Sequence, residues 1–311
     1  MRSTKRFVSA TMMTGLALLA AFTWTREPAA VLVKVSGAVE VQKVTDEKVP
    51  GTVGLSLEPG DRVLVPSGGK AVLMYRTGKM ETAAAAVTVA EPASGEPAGL
   101  YAQTARTITQ VATTDAARQP NRQGMIRPVQ GTATGIAPRN GIAVDETRPT
   151  FTWYGVPGTT AYTIMLRRTD APGQPVRFQA GADTVWTYPA DAQALERGGT
   201  YSWVVGTDAG RIGQQMEFRV LDAERYAAIQ AAMDAMSASG LDPAEDGLFV
   251  AAVVYRDAGL VYDAAAALER LAAEGTGGRL LHLMRGEALD AIGDLEGAAQ
   301  AFQAADRAGR R

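Results

Sequence analysis

AGLVYDAAAAL occupies residues 258–268 and GDLEGAAQAF residues 293–302. Laid over one another, the two stretches align Gly259 with Gly293, Ala264 with Ala298 and Leu268 with Phe302, always 34 positions apart. A repeat of that length is one supersecondary unit, a pair of antiparallel helices turning at the glycine, and it recurs because one pair cannot bury its apolar face alone. The same offset relates Ala252 to Gly286, Tyr255 to Leu289 and Leu271 to Ala305. Small residues let helices approach closely, and the aromatic or leucine beside them fills the gap.

The six aligned positions resemble the tetratricopeptide family, with units over residues 245–278 and 279–311. Ahead of them, DAERYAAIQAAMDAMSASG steps Tyr226, Ile229, Met233 and Met236 by three and four, an apolar helical stripe expected to pack on the first unit as a cap. Gly240 ends that helix, and Asp242 followed by Pro243 is expected to cap the next. The all-α region thus spans residues 222–311. The resemblance implies a concave groove lined by the first helix of each pair: Asp246, Phe249, Val250, Val253 and Arg256, then Leu280, Leu283, Met284, Glu287 and Asp290. Apolar with a charged margin, it is the expected site for a protein or peptide partner, unless the methionine-rich helix or a second copy of the chain in a homodimer fills it. His282 and Arg285 replace large apolar residues of the family pattern, as a terminal repeat without a following neighbour allows, so His282 is expected to be a capping or surface residue. The glycine run Gly275 to Gly278 is an inter-repeat turn, lacking the ending of a phosphate loop.

Two β-rich stretches precede the helices. Over residues 29–90, Val31, Val33 and Val35, then Val39 and Val41, alternate with a period of two between glycine turns, which predicts a small all-β domain. Gly37 to Val41, Leu57 to Val63, Gly68-Gly69, Ala71 to Tyr75 and Gly78 together resemble the FecR-type periplasmic domain. Over residues 136–220, Phe151 and Trp153 share one strand face, and Tyr162, Ile164 and Leu166 share another. This stretch is similar to fibronectin type III and related immunoglobulin-like sandwiches, which implies that Trp153 and Tyr162 form a central core pair and that Leu195 and Tyr201 form a tyrosine corner. Between them, residues 91–135 are rich in Pro, Gly, Ala, Thr and Gln and read as a linker, with TITQVATT as one further strand.

The first 25 residues carry Arg2, Lys5 and Arg6, then an uncharged run from Phe7 to Thr25. That is a signal peptide or signal anchor, which places the rest outside the cytoplasmic membrane, in the periplasm or tethered to the inner membrane if the segment stays uncleaved. The fold class is therefore multidomain: a hydrophobic N-terminal segment, a small all-β domain, a β-sandwich and a helical repeat.

The 31 basic and 33 acidic residues give a net charge of -2, without the concentrated basic face that nucleic acid requires. With no cysteine and one histidine, thiol nucleophiles, disulfides, multi-histidine metal sites and nearly all triad chemistry drop out. No cofactor or metal site is expected. The leading expectation is a non-catalytic cell-envelope scaffold or adaptor that binds proteins through the helical groove. The alternatives are a FecR-like signal-responsive regulator, and a carbohydrate-binding envelope protein using Trp186 or Tyr188 as a stacking platform.

Overall fold

The computed structural model describes residues 28–91, 134–138, 142–171, 173–210, 212–275 and 277–309, together with Gly99, Ala102, Gln103, Thr104, Thr107 and Val111. The expected signal segment, residues 1–25, lies outside them. Among the described residues no helix is long and apolar enough to cross a membrane.

The first β-domain runs from β1 (Ala30–Ser36) through β2 (Glu40–Gln42), β3 (Lys48–Pro50), β4 (Ser56–Leu57), β5 (Arg62–Leu64), β6 (Lys70–Tyr75) and β7 (Met80–Ala83) to β8 (Val87–Thr88). Its two antiparallel sheets have the orders β4-β1-β6-β7 and β3-β2-β5-β8. Strands with one wet face alternate buried and exposed residues, but β1 is buried from Ala30 through Val35 and β6 from Ala71 through Tyr75. Both faces of these strands are therefore covered, as their near-continuous apolar composition requires.

The sandwich follows with β9 (Thr134–Ala137), β10 (Ile142–Val144), β11 (Thr150–Tyr154), β12 (Tyr162–Arg168), β13 (Val176–Gly181), β14 (Val185–Thr187), β15 (Thr200–Thr207) and β16 (Met216–Val220). A three-stranded sheet, β14-β11-β9, faces a five-stranded one, β10-β16-β15-β12-β13, with β10 parallel to β16. The alternating residues of the sequence meet between the sheets: Phe151 and Trp153 from β11 pack with Tyr162, Ile164, Trp203 and Phe218. Trp153 and Tyr162 lie edge to face, ring centroids 5.4 Å apart. The Glu196 amide donates to the Tyr201 hydroxyl at 2.8 Å, closing the tyrosine corner.

Five helices complete the described chain: α1 (Ala223–Ala238), α2 (Leu248–Ala258), α3 (Val261–Ala273), α4 (Arg279–Ile292) and α5 (Leu295–Ala308). Gly259 and Gly293 close α2 and α4 in the left-handed conformation, at φ +83° and +81°, which is why glycine recurs there. Asp222 caps α1 by accepting from the Arg225 amide, and Asp294 caps α5 by accepting from the Gly297 amide. Asp242 does not start a helix as expected. Its carboxylate accepts from the Ala244 amide, a turn follows, and α2 begins after Gly247. Gly286 is small because the Phe302 ring occupies the space of its missing side chain, with a Cβ placed only 2.5 Å from Cε1. The expected cap forms: Ile229 of α1 joins Leu221, Val254 and Leu260 in a small cluster, with Tyr226 and Met233 against it.

Two expectations change. Within TITQVATT, read as strand, Thr107 and Val111 are helical, as are Gly99 and Ala102–Thr104. This stretch is not a solvated linker throughout: Thr104, Thr107 and Val111 are buried, and Gln103 and Thr107 reach the Asp257 carboxylate on α2. Its small residues allow that close packing. The first β-domain and the helices are also not separate bodies, since one continuous core contains Leu32, Leu73, Phe249, Leu268 and Met284.

Candidate functional site

The expected groove lies on α2 and α4. Phe249, Val250, Val253 and Met284 are fully buried and Leu283 is 5 % exposed, so this apolar face is not open to solvent. Met236 of the methionine-rich helix joins the same core as Phe249 and Met284. The cover is the first β-domain of the same chain, whose β1 lies against α2. The segment between β3 and β4 enters the expected groove: Val53 pairs with Gly277 in an isolated parallel bridge, and Gly54 sits on Leu280 and Phe249. A Cβ on Gly54 would come within 2.5 Å of Leu280 Cδ2, and its φ of +86° already favours glycine.

The charged residues of the expected groove form its seam. Lys70 of β6 pairs with Asp246, and Arg256 pairs with Glu287 at 3.3 Å. Asp290 is half-buried on α4. A further pair outside the expected set joins Lys34 of β1 to Glu274 at 2.7 Å, with the lysine side chain 11 % exposed. The apolar residues of the expected groove thus lie in the core that the helices share with the first β-domain.

His282 is half-buried on α4. Burial holds its pKa below the ordinary imidazole value, and the nearby Arg285 and Arg307 charges add to the effect. It lines a cleft of about 620 Å³ between the first β-domain and the last helix pair, together with Arg279 and Arg307. Of the two aromatic candidates, Tyr188 is buried with its hydroxyl donating to the Gln193 carbonyl, and Trp186 is half-buried against Phe151 and Phe178.

A junction that the sequence did not reveal joins the sandwich to α1 and α3. The Tyr262 hydroxyl donates to the Ile136 carbonyl at 3.3 Å, and the Arg197 guanidinium lies 3.5 Å over the Tyr226 ring. A cavity of about 270 Å³ there is lined by Asp145, Glu146, Tyr262 and Asp263. Burial first, then the Asp145 and Glu146 charges, pushes Asp263 up to about 6. Among the described residues no group of three or more His, Cys, Asp or Glu is placed to hold a metal ion.

No protein-family profile matches the chain, and no curated protein sequence matches it. Among solved structures it is similar to a cell surface anchoring domain at 16% identity and TM-score 0.21, covering 22% of this chain and 99% of that one. It is also similar to the FN1-FN3 domains of chicken CNTN1 at 11% identity and TM-score 0.22, covering 61% and 53%. The fibronectin(III)-like modules of Clostridium thermocellum CbhA match at 11% identity and TM-score 0.20, covering 60% and 78%. Likenesses this distant carry no argument about function.

Proposed function

We propose that the chain is a non-catalytic scaffold of the cell envelope, exported by its first 25 residues, in which helical pairs of the tetratricopeptide type grip a FecR-type β-domain and the sandwich faces outward toward protein partners. The observation that supports this reading is the seating of Gly54 on Phe249 and Leu280: the concave face recognises folded protein, and its occupant is its own chain. With that face filled, partners are left the sandwich edges. Strands β13 and β14 end their two sheets, and Val176 and Val185 on them are 54 % and 55 % exposed. Unpaired strand edges with apolar side chains accept an added strand.

Site-specific photo-crosslinking in cells producing the full chain tests this. A crosslinker at Val176 or Val185 should capture other envelope proteins, while one at Leu280 should join residues near Gly54 within the chain. Capture of foreign proteins at Leu280 alone would instead restore the groove as the partner site. Absence of any captured protein, with hydrolysis of an envelope polymer by the purified chain, would end the scaffold reading.

A further inference from the structure

The cleft between the first β-domain and the last helix pair has a chemistry that neither the groove nor the scaffold role uses. Three ionisable residues line it among the described residues, and all are basic types: Arg279 and His282 from α4 and Arg307 from α5. In a chain of 31 basic and 33 acidic residues, a cleft with no acid on its walls is a local imbalance. The acid next to the glycine turn, Glu274, is drawn to Lys34 on β1 at 2.7 Å. Other arginines of the helical region are matched, Arg256 with Glu287 and Arg285 with Glu269. Arg279 and Arg307 make no ion pair with a described residue.

The walls are shaped for close approach. Gly278 meets Thr52 across the cleft, where a Cβ would lie 2.5 Å from Oγ1, and a Cβ on Gly277 would press on the His282 ring. The bare backbone of Gly277 and Gly278 thus packs directly against the His282 ring and Thr52 at the cleft wall. Arg279 is half-buried, with Gly309 packed beside its aliphatic stem, so its guanidinium is held at the cleft with reduced freedom. Guanidinium groups bind carboxylate and phosphate oxygens through paired, charge-assisted hydrogen bonds. The volume of about 620 Å³ falls within the range of small-molecule sites, roughly 300–1,000 Å³.

We propose that this cleft binds a small-molecule oxyanion, a carboxylate or phosphate group held between Arg279 and Arg307 with His282 at its side. A bound anion is attracted to both guanidinium groups and favours the protonated imidazole. Affinity therefore rises as pH falls through the His282 titration. The charged groups facing His282 from the helices are Arg279, Arg285 and Arg307. The cleft-lining residues of the β-domain add no ionisable group.

Sulfate serves as the probe, because its charge is constant across this pH range, and the full chain is titrated calorimetrically against sodium chloride of equal ionic strength. Sulfate should bind more tightly at pH 5.5 than at pH 7.5. Arg279→Gln and Arg307→Gln should each weaken binding about tenfold or more, as loss of one charge-assisted pair implies. Arg167→Gln, on the exposed side of β12, should leave sulfate binding unchanged, and His282→Gln should flatten the pH dependence. Arg307 is exposed, so its variant keeps the test sound if Arg279→Gln disturbs packing. Binding no different from chloride, or binding that survives both arginine variants, overturns the proposal. Citrate and inorganic phosphate, titrated next, distinguish a carboxylate ligand from a phosphate one.

Discussion

Lys34 on the first strand meets Glu274 at the end of α3 at 2.7 Å, across 240 positions of sequence. The pair ties the β-domain to the helices at a point where the lysine is nearly buried and the glutamate is 36 % exposed. Removing one partner strands a charge at low dielectric, whereas removing both does not. Glu274→Gln should destabilise the chain by about 1–2 kcal/mol, the cost of a broken buried pair reduced for solvent reaching the carboxylate. Lys34→Met combined with Glu274→Gln should recover part of that loss. Urea unfolding of the single and double variants measures both.

Gly54 carries the tighter constraint. A valine there would meet Leu280 and would hold a β-branched residue at a φ of +86°, so both space and backbone oppose it. Gly54→Val should cost about 2 kcal/mol or more and loosen the β-domain from α2 and α4. Calorimetry should then show the single transition of the shared core splitting, and limited proteolysis should cut first near residues 50–56. Retention of one unchanged transition would contradict the seating described above.

Acid should strengthen the junction between sandwich and helices. Asp263 titrates near 6 in the folded chain against an ordinary 3.8, so its contribution to stability is fully present below about pH 4 and is lost as pH rises through 6. Asp145, Glu146, Tyr255 and Tyr262 surround it. Asp170, Asp208 and Asp222 are shifted down and work in the opposite sense, so the comparison must be made within one position. Asp263→Asn should melt a few degrees above the parent at pH 7.5 and no higher at pH 4. Equal melting at both pH values would show that Asp263 is not held in its neutral form.

Tyr201→Phe removes the hydroxyl that accepts from the Glu196 amide and leaves that amide without its partner. The expected loss is about 1–3 kcal/mol, the cost of an unsatisfied donor in a largely buried corner. Chemical unfolding followed through the sandwich tryptophans reads it directly.

The sequence displayed each module but not how the modules meet. Gly259 and Gly293 were legible because a left-handed helix end admits little else, and Trp153, Tyr162 and Tyr201 because sandwich cores place aromatics at fixed strand positions. The cover of the groove was not legible from α2 and α4, since an apolar helix face looks the same whatever lies on it. The usable signal was in β1 and β6. AVLVKV and KAVLMY are apolar at both odd and even positions, and a strand with one wet face has no use for Leu32 and Val33 together. The odd positions specify the strand, and the apolar even positions call for a second partner. Gln103 and Thr107 misled for another reason: polar residues resemble a linker until a distant carboxylate such as Asp257 supplies their hydrogen bonds.

The two-sided burial of β1 also sets an order of events in the life of the chain. Strand β1 is made first, yet α2, which covers its outer face, is synthesised only after the whole sandwich. At about 5–20 residues per second, that face waits ten seconds or longer for its cover. During that interval Leu32 and its neighbours present an uncovered, strand-forming surface of the kind that self-associates. The sandwich can close on its own in the meantime, whereas the first β-domain remains unfinished until the last helices arrive. Delivery of this chain in a folded state therefore depends on keeping its opening strand from other strands until its final third has emerged.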